Sequence, residues 1–261
     1  MIDIHAHILP DVTGDDGAQS LWESIEMLRV FAKTGVTDII CTPHVNRRGV
    51  VPTWSEISSK VSLLQKMAAE EQIPVCIHGG AEIELNYHAL SFLPGPASHA
   101  YCLANTAYIL CELTEQSEPN QTEQLLFELM LKGYIPVLAH PERYVRLMKR
   151  PERLLQWMRK GILTQCNVGS FNGEFGELAK SQAENLLRNN MIVFLGSDAH
   201  RMEWRSPDVT KGLEAIEMLQ GPIPKYELNA RRMIQKKYLY PSLPNTWKSY
   251  KKGFFSRLFK R

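Results

Sequence analysis

Histidines and carboxylates recur in this chain where apolar runs end: His5 and His7, the pair Asp15-Asp16, His44, Glu82, Glu112, His140, and Asp198 with His200. Imidazole nitrogens and carboxylate oxygens are the donors that hold divalent transition ions, and ions held side by side hydrolyse phosphoesters. His5 and His7 are two residues apart, so on a strand both rings project to one face and can reach one ion. Alone, a His-x-His is more often two partly buried histidines. The rest of the set changes that reading, because charged groups at the ends of apolar strands are costly unless a metal or a partner satisfies them. Glu142 is set apart from the group, as a solvated carboxylate or the partner of an arginine.

Strand and helix signals alternate almost from end to end. Ser20-Leu21-Trp22-Glu23 is a capping box, followed by Leu21, Ile25, Leu28 and Ala32 on one helix face and Gly35 as a stop. Thr53-Trp54-Ser55-Glu56 opens a second helix the same way, with Ile57, Val61, Leu64 and Ala68 as its stripe. Further helices are predicted over 122–133, 151–161 and 175–190, and strands over 37–41, 74–78, 107–112, 135–139, 163–168 and 192–196. With the strand that begins at residue 2 this makes seven strand–helix units. They imply a parallel sheet covered by helices, most economically a distorted (β/α)7 barrel, with an open doubly wound sheet as the alternative. In such a barrel the carboxyl ends of the strands meet at one mouth, and the histidines and carboxylates sit at those ends.

At 261 residues, 44% hydrophobic and 22% charged, the chain fits one α/β domain over 1–244 with a short tail over 245–261. A strand starting at residue 2 leaves no room for a signal or transit peptide. No apolar run reaches the roughly 18 residues of a membrane span. Five scattered cysteines, Cys41, Cys76, Cys102, Cys111 and Cys166, read as reduced core thiols, so a cytoplasmic protein is expected. Of the net charge of +2, the tail holds +6 and no acid, which leaves the body mildly acidic. An acidic body argues against nucleic-acid binding. In the tail, Trp247, Tyr250, Phe254, Phe255, Leu258 and Phe259 interleave with the six cations. That mixture suits peripheral contact with an anionic membrane; a disordered solubilising tail is the competing reading.

The ordered set His5-x-His7 with Asp16-Gly17, Thr42-Pro43-His44, Gly80-Ala81-Glu82-Ile83, Glu112-Leu113, Ala139-His140-Pro141-Glu142-Arg143-Tyr144 and Ser197-Asp198-Ala199-His200 resembles the PHP (polymerase and histidinol phosphatase) superfamily. More narrowly, it resembles the manganese-dependent protein-tyrosine phosphatases of bacterial capsule and exopolysaccharide operons, over residues 1–240. The resemblance implies a PHP-type barrel with three divalent ions, Mn²⁺ first and Fe²⁺ or Zn²⁺ as alternatives. It places His5, His7, Glu82 and Asp198 on one ion, Glu82 with Glu112 and His140 on a second, and Asp16, His44 and His200 on the third. It also implies that Arg143 and Arg205 bind the substrate phosphate. The loop 10–17 is two residues longer than the family's usual version, which leaves Asp15 and Asp16 in competition; adjacency to Gly17 favours Asp16.

The function implied is hydrolysis of phosphotyrosine by metal-bound hydroxide, on a membrane-associated tyrosine autokinase that controls polysaccharide synthesis. A histidinol-phosphate phosphatase or other small phosphoesterase on the same barrel is the runner-up, and a non-catalytic interaction protein is the alternative from another class. One motif points elsewhere: Cys41 and Arg47 have the Cys-x5-Arg spacing of cysteine-dependent phosphatases. Pro43 removes a backbone donor that the anion-cradling loop needs, and Cys41 ends an apolar run where a buried thiol is expected.

Overall fold

The computed structural model describes residues 1–220 and 223–250. Its strands are β1 (Ile2–Ala6), β2 (Asp38–Cys41), β3 (His44–Val45), β4 (Cys76–Gly79), β5 (Glu82–Glu84), β6 (Tyr108–Glu112), β7 (Ile135–Ala139), β8 (Leu163–Asn167) and β9 (Phe194–Gly196). All paired strands run parallel, in the orders β1-β2-β4 and β3-β5-β6-β7-β8-β9. The division into two sheets comes from short interruptions. Thr42-Pro43 separates β2 from β3, and Gly80-Ala81 separates β4 from β5. Proline has no N–H to give the ladder, yet the Pro43 carbonyl accepts Glu82 N at 3.0 Å, so pairing resumes beyond the break.

Counting β2 with β3 and β4 with β5 leaves seven strand paths. Asp198 N donates to His5 O at 2.8 Å and His7 N to Ala199 O at 2.8 Å, with Ala6 bridged to Ala199. These bonds join the last strand to the first, and the architecture is the distorted seven-stranded barrel expected from the sequence.

Ten helices connect and cover the strands among the described residues: α1 (Leu21–Lys33), α2 (Trp54–Glu70), α3 (Tyr87–Phe92), α4 (Pro119–Leu131), α5 (Val145–Met148), α6 (Pro151–Arg159), α7 (Val168–Asn172), α8 (Gly176–Arg188), α9 (Thr210–Gln220) and α10 (Pro224–Ile234). Ser20 and Thr53 cap α1 and α2 through Glu23 N and Glu56 N. The return half of each predicted capping box is diverted: Glu23 accepts from Gln19 N, and Glu56 accepts from Thr13 N. The second diversion ties the loop carrying Asp15 and Asp16 to α2. Ile25, Leu28 and Phe31 of α1 and Ile57, Leu64 and Ala68 of α2 enter one continuous apolar core.

No helix among the described residues is long and apolar enough to cross a membrane. Cys41, Cys102, Cys111 and Cys166 are buried free thiols, whereas Cys76 is exposed. The tail expected over 245–261 is described as far as Tyr250. There Lys248 exchanges backbone hydrogen bonds with the Asn189 side chain, and Tyr250 N donates to Asn185 of α8. Phe254, Phe255, Leu258 and Phe259 lie outside the described residues.

Candidate metal centre

All the histidines and carboxylates singled out in the sequence meet at the carboxyl ends of the strands. His5 and His7 present their Nε2 atoms to each other at 3.2 Å. Glu82 Oε2 lies 3.3 Å from both, and Asp198 Oδ1 lies 3.5 Å from His5 and 3.6 Å from His7. The other nitrogen of each ring is already engaged. His5 Nδ1 meets Gln165 Oε1 at 3.0 Å and His7 Nδ1 meets Asp15 Oδ1 at 2.8 Å. A ring that donates from Nδ1 keeps a lone pair on Nε2, so two imidazole lone pairs and two carboxylates face one point. With both rings neutral these facing acceptors would repel, and either a proton on an imidazole or a bound cation relieves that repulsion.

The titration of the site carries the same sign. Burial alone would lower the His5 pKa, but Glu82 and Asp198 overrule it and hold it up at about 9. Glu82 and Asp198 stay ionised despite burial, because the histidines around them favour the carboxylate form. The pocket is built to hold positive charge.

Two further groups adjoin this quartet. His140 Nε2 lies 2.9 Å from Glu82 Oε1, while His44 Nδ1 lies 3.1 Å from Glu82 Oε2 and 3.0 Å from Glu112 Oε1. Asp16 Oδ1 lies 3.5 Å from His44 Nε2 and 3.3 Å from His200 Nε2. Glu82 Oε2, His44 Nδ1 and Asp16 Oδ1 are buried with no hydrogen bond of proper geometry. The sets His5/His7/Asp198, His5/Glu82/His140 and His7/His44/His200 each bring ligand atoms close enough to share an ion.

Asp15 and Asp16 separate clearly. Asp16 faces His44 and His200, whereas Asp15 grips His7 Nδ1 and the His44 backbone N–H from behind, at 2.8 and 2.9 Å. Burial would raise the Asp15 pKa, but His7 and His44 prevail and the carboxylate stays ionised.

The scaffold makes these approaches possible through specific residues. A Cβ on Gly196 would stand 2.6 Å from the His5 Cβ, and one on Gly17 would stand 2.1 Å from the His7 carbonyl. Both glycines let backbone pass close behind the imidazoles. His140, Asp198 and Arg205 adopt left-handed backbone, with φ of 32°, 56° and 50°. Such conformations cost about 1–3 kcal/mol for residues with a side chain and concentrate at functional sites.

Arg143 Nη1 donates to Asp198 Oδ2 at 2.9 Å, and Arg205 Nη1 lies 3.5 Å from Asp198 Oδ1. Both guanidiniums stack on one ring, Phe175, at 4.8 and 5.3 Å. Trp204, itself largely exposed, lies 4.7 Å from Arg205 and edge-on to His200.

Several contributors escape a search for ligands. β8 supplies no ligand candidate, but Gln165 Nε2 donates to Asn167 Oδ1 and Asn167 Nδ2 donates to Asp198 Oδ2, so one amide relay orients both His5 and Asp198. Arg47 pairs with Asp16 at 2.6 Å and adds a third cation to the mouth. Phe175 had no signal beyond its place at a predicted helix start. Glu142 is a correction: it is neither solvated nor held by an arginine. The turn after His140 swings it inward, where Oε1 accepts from Asn167 N at 3.0 Å and Ser170 Oγ at 2.7 Å, at the start of α7. Cys41 is fully buried, and burial pushes its thiol pKa well up, so it is no nucleophile.

The family model for capsular polysaccharide synthesis, CpsB/CapC, matches residues 1–229. The tyrosine-protein phosphatase YwqE of Bacillus subtilis is 35% identical over 258 residues, covering 98% of this chain and 100% of that protein. The fold superposes with a TM-score of 0.85, at 33% identity, on a crystal structure from a study of YwqE and of CpsB from Streptococcus pneumoniae, described as unique metal-dependent tyrosine phosphatases. The match covers 95% of this chain and 100% of that one. A histidinol phosphate phosphatase from Lactococcus lactis, solved with zinc, L-histidinol and phosphate, matches at a TM-score of 0.51 and 14% identity over 85% of this chain and 94% of its own, a likeness of fold alone. The chain belongs to the CpsB/CapC family of capsular polysaccharide synthesis.

Proposed function

We infer that this protein is a metal-dependent protein-tyrosine phosphatase, with its active site at the barrel mouth. The observation that carries the reading is the convergence of His5, His7, Glu82 and Asp198 on one point, with two guanidiniums at its rim. We assign His5, His7, Glu82 and Asp198 to one ion. Glu82, Glu112 and His140 are assigned to a second, and Asp16, His44 and His200 to a third. Such mixed nitrogen and oxygen donors suit Mn²⁺, with Fe²⁺ or Zn²⁺ as alternatives. When bound, the ions supply the Lewis acidity that lowers the pKa of water and neutralises phosphoryl oxygens.

The protein's own groups complete the site. Arg143 and Arg205 offer planar forks to the phosphoryl oxygens and stabilise the charge that shifts onto them during transfer. The Phe175 ring lies beneath both guanidiniums, at 4.8 and 5.3 Å, and helps hold them at the rim. Asp15 and Gln165 keep His7 and His5 in the tautomer that leaves Nε2 free. Trp204 presents an exposed aromatic face at the mouth, where the phenyl ring of a phosphotyrosine can stack.

The substrate we propose is a phosphotyrosine protein of capsular or exopolysaccharide synthesis, a membrane-associated tyrosine kinase. The family's description supports this placement. The basic aromatic tail over 245–261 would hold the enzyme at the same membrane surface. The test is turnover of a phosphotyrosine peptide against histidinol phosphate by the same metal-loaded preparation. Preference for the peptide is expected; preference for histidinol phosphate would transfer the assignment to small phosphoesters.

A further inference from the structure

Arg143 also lines a cavity of about 460 Å³, walled by the segment after β6 and the segment after β7. Its lining includes Leu113, Tyr144, Leu147 and Trp157, and at its edge stand Arg146 and Lys149. A second depression of about 340 Å³ shares Arg146, Leu147 and Lys149 with it and adds Arg150 and Arg153. The two adjoin along Pro119, Arg146, Leu147 and Lys149 and are taken together as one groove with Arg143 at one end.

The groove is unevenly charged. Five cations line it, against the two acids Glu115 and Glu118. Glu118 is taken by Arg146, and Arg153 is paired with Glu123. Lys149 and Arg150 have no acidic partner among the described residues. A phosphate held by Arg143 fixes where the neighbouring residues of a polypeptide lie, and a groove starting at that arginine receives them. A small phosphoester ends at the mouth and has nothing to place there.

We propose that this groove is the polypeptide subsite of the phosphatase and selects substrates that carry Asp or Glu a few residues from the phosphotyrosine, met by Lys149 and Arg150. The proposal rests on the tyrosine-phosphatase reading above. Apolar flanking residues lie on Val145, the exposed apolar side chain of the lining, and their carboxylate neighbours neutralise the two free cations. The recognition is electrostatic and partly exposed, so it weakens as salt rises.

The test uses the full, metal-loaded chain and three substrates: p-nitrophenyl phosphate, a phosphotyrosine peptide with flanking acids, and the same peptide with those acids as amides. Two exposed ion pairs predict a preference of roughly tenfold in kcat/KM for the acidic peptide at low salt, residing in KM. In the double variant Lys149→Glu/Arg150→Glu that preference is expected to vanish or invert, while p-nitrophenyl phosphate is turned over as by the parent chain. Equal kcat/KM for the two peptides in the parent chain, or a preference that survives the charge reversal, overturns the groove and leaves the phosphatase reading standing. Failure of the metal-loaded parent chain on all three substrates overturns both.

Discussion

Replacing Asp15 by alanine is expected to weaken metal binding by about 10- to 100-fold while leaving the number of bound ions unchanged. Asp15 Oδ1 accepts from His7 Nδ1 at 2.8 Å and from the His44 backbone N–H at 2.9 Å, so one carboxylate oxygen orients two candidate ligands. Without it the His7 ring is free to turn, and the proton on Nδ1 can move to Nε2, the atom that faces Glu82 and Asp198. A hydrogen bond to a charged acceptor contributes about 1.5–3 kcal/mol, and a 10- to 100-fold change corresponds to about 1.4–2.7 kcal/mol. The two magnitudes agree. Asp15→Asn should lose less than Asp15→Ala, because the amide oxygen can still accept from both donors. Asp16→Ala, by contrast, removes a proposed ligand facing His44 and His200, and one fewer ion should bind. Calorimetric titration of Mn²⁺ into metal-stripped protein separates affinity from stoichiometry. Wild-type affinity in Asp15→Ala would refute the orienting role. Loss of an ion from Asp15→Ala with full stoichiometry in Asp16→Ala would exchange the assignments of the two neighbours.

Three other outcomes follow from the site. Glu82→Ala and His140→Ala are each expected to lower turnover of a phosphotyrosine peptide by at least about 100-fold with circular dichroism unchanged, since each removes a proposed contact to shared metal; wild-type turnover in either folded variant would sink the ligand assignment. Phe175→Ala removes the ring beneath both arginines, and two cation–π contacts at roughly 0.5–1 kcal/mol each predict a KM raised about fivefold or more; steady-state kinetics showing an unchanged KM would contradict it. Cys41→Ser is expected to keep most activity, because the thiol is fully buried and burial holds it protonated; an inactive but folded Cys41→Ser protein would restore the cysteine mechanism.

Much of the site was legible because ligand chemistry restricts residue type at strand ends. His5, His7, Glu82, Glu112, His140 and Asp198 all sit where an apolar strand gives way to a loop, and the barrel brings those ends together. Adjacency to Gly17 favours Asp16 in the sequence without settling the choice, since Asp15 and Asp16 differ in which way a loop carboxylate turns, and a tertiary contact, Glu56 to Thr13 N, helps hold that loop. Glu142 was misread for a similar reason: the left-handed backbone at His140 reverses the direction of the residues after it. Gln165 and Asn167 act through other side chains and are uncharged, so nothing in their types marked them. The breaks at Pro43 and Gly80-Ala81 divide two strands that periodicity reads as single runs. α9 and α10 carry readable signals, with Ile216 buried in one and Tyr226, Ala230 and Met233 buried in the other, but they follow the last strand and fall outside the alternation that organised the rest.

The most direct test of the central claim is to measure bound metal and phosphotyrosine-peptide turnover on the same samples across a series from fully stripped to fully loaded protein. The quartet of facing acceptors and its two neighbouring clusters predict that turnover is absent in stripped protein, rises with bound divalent metal, and levels off near three ions per chain. Full turnover from protein holding less than about a tenth of an ion per chain would contradict a metal-dependent phosphatase at this site.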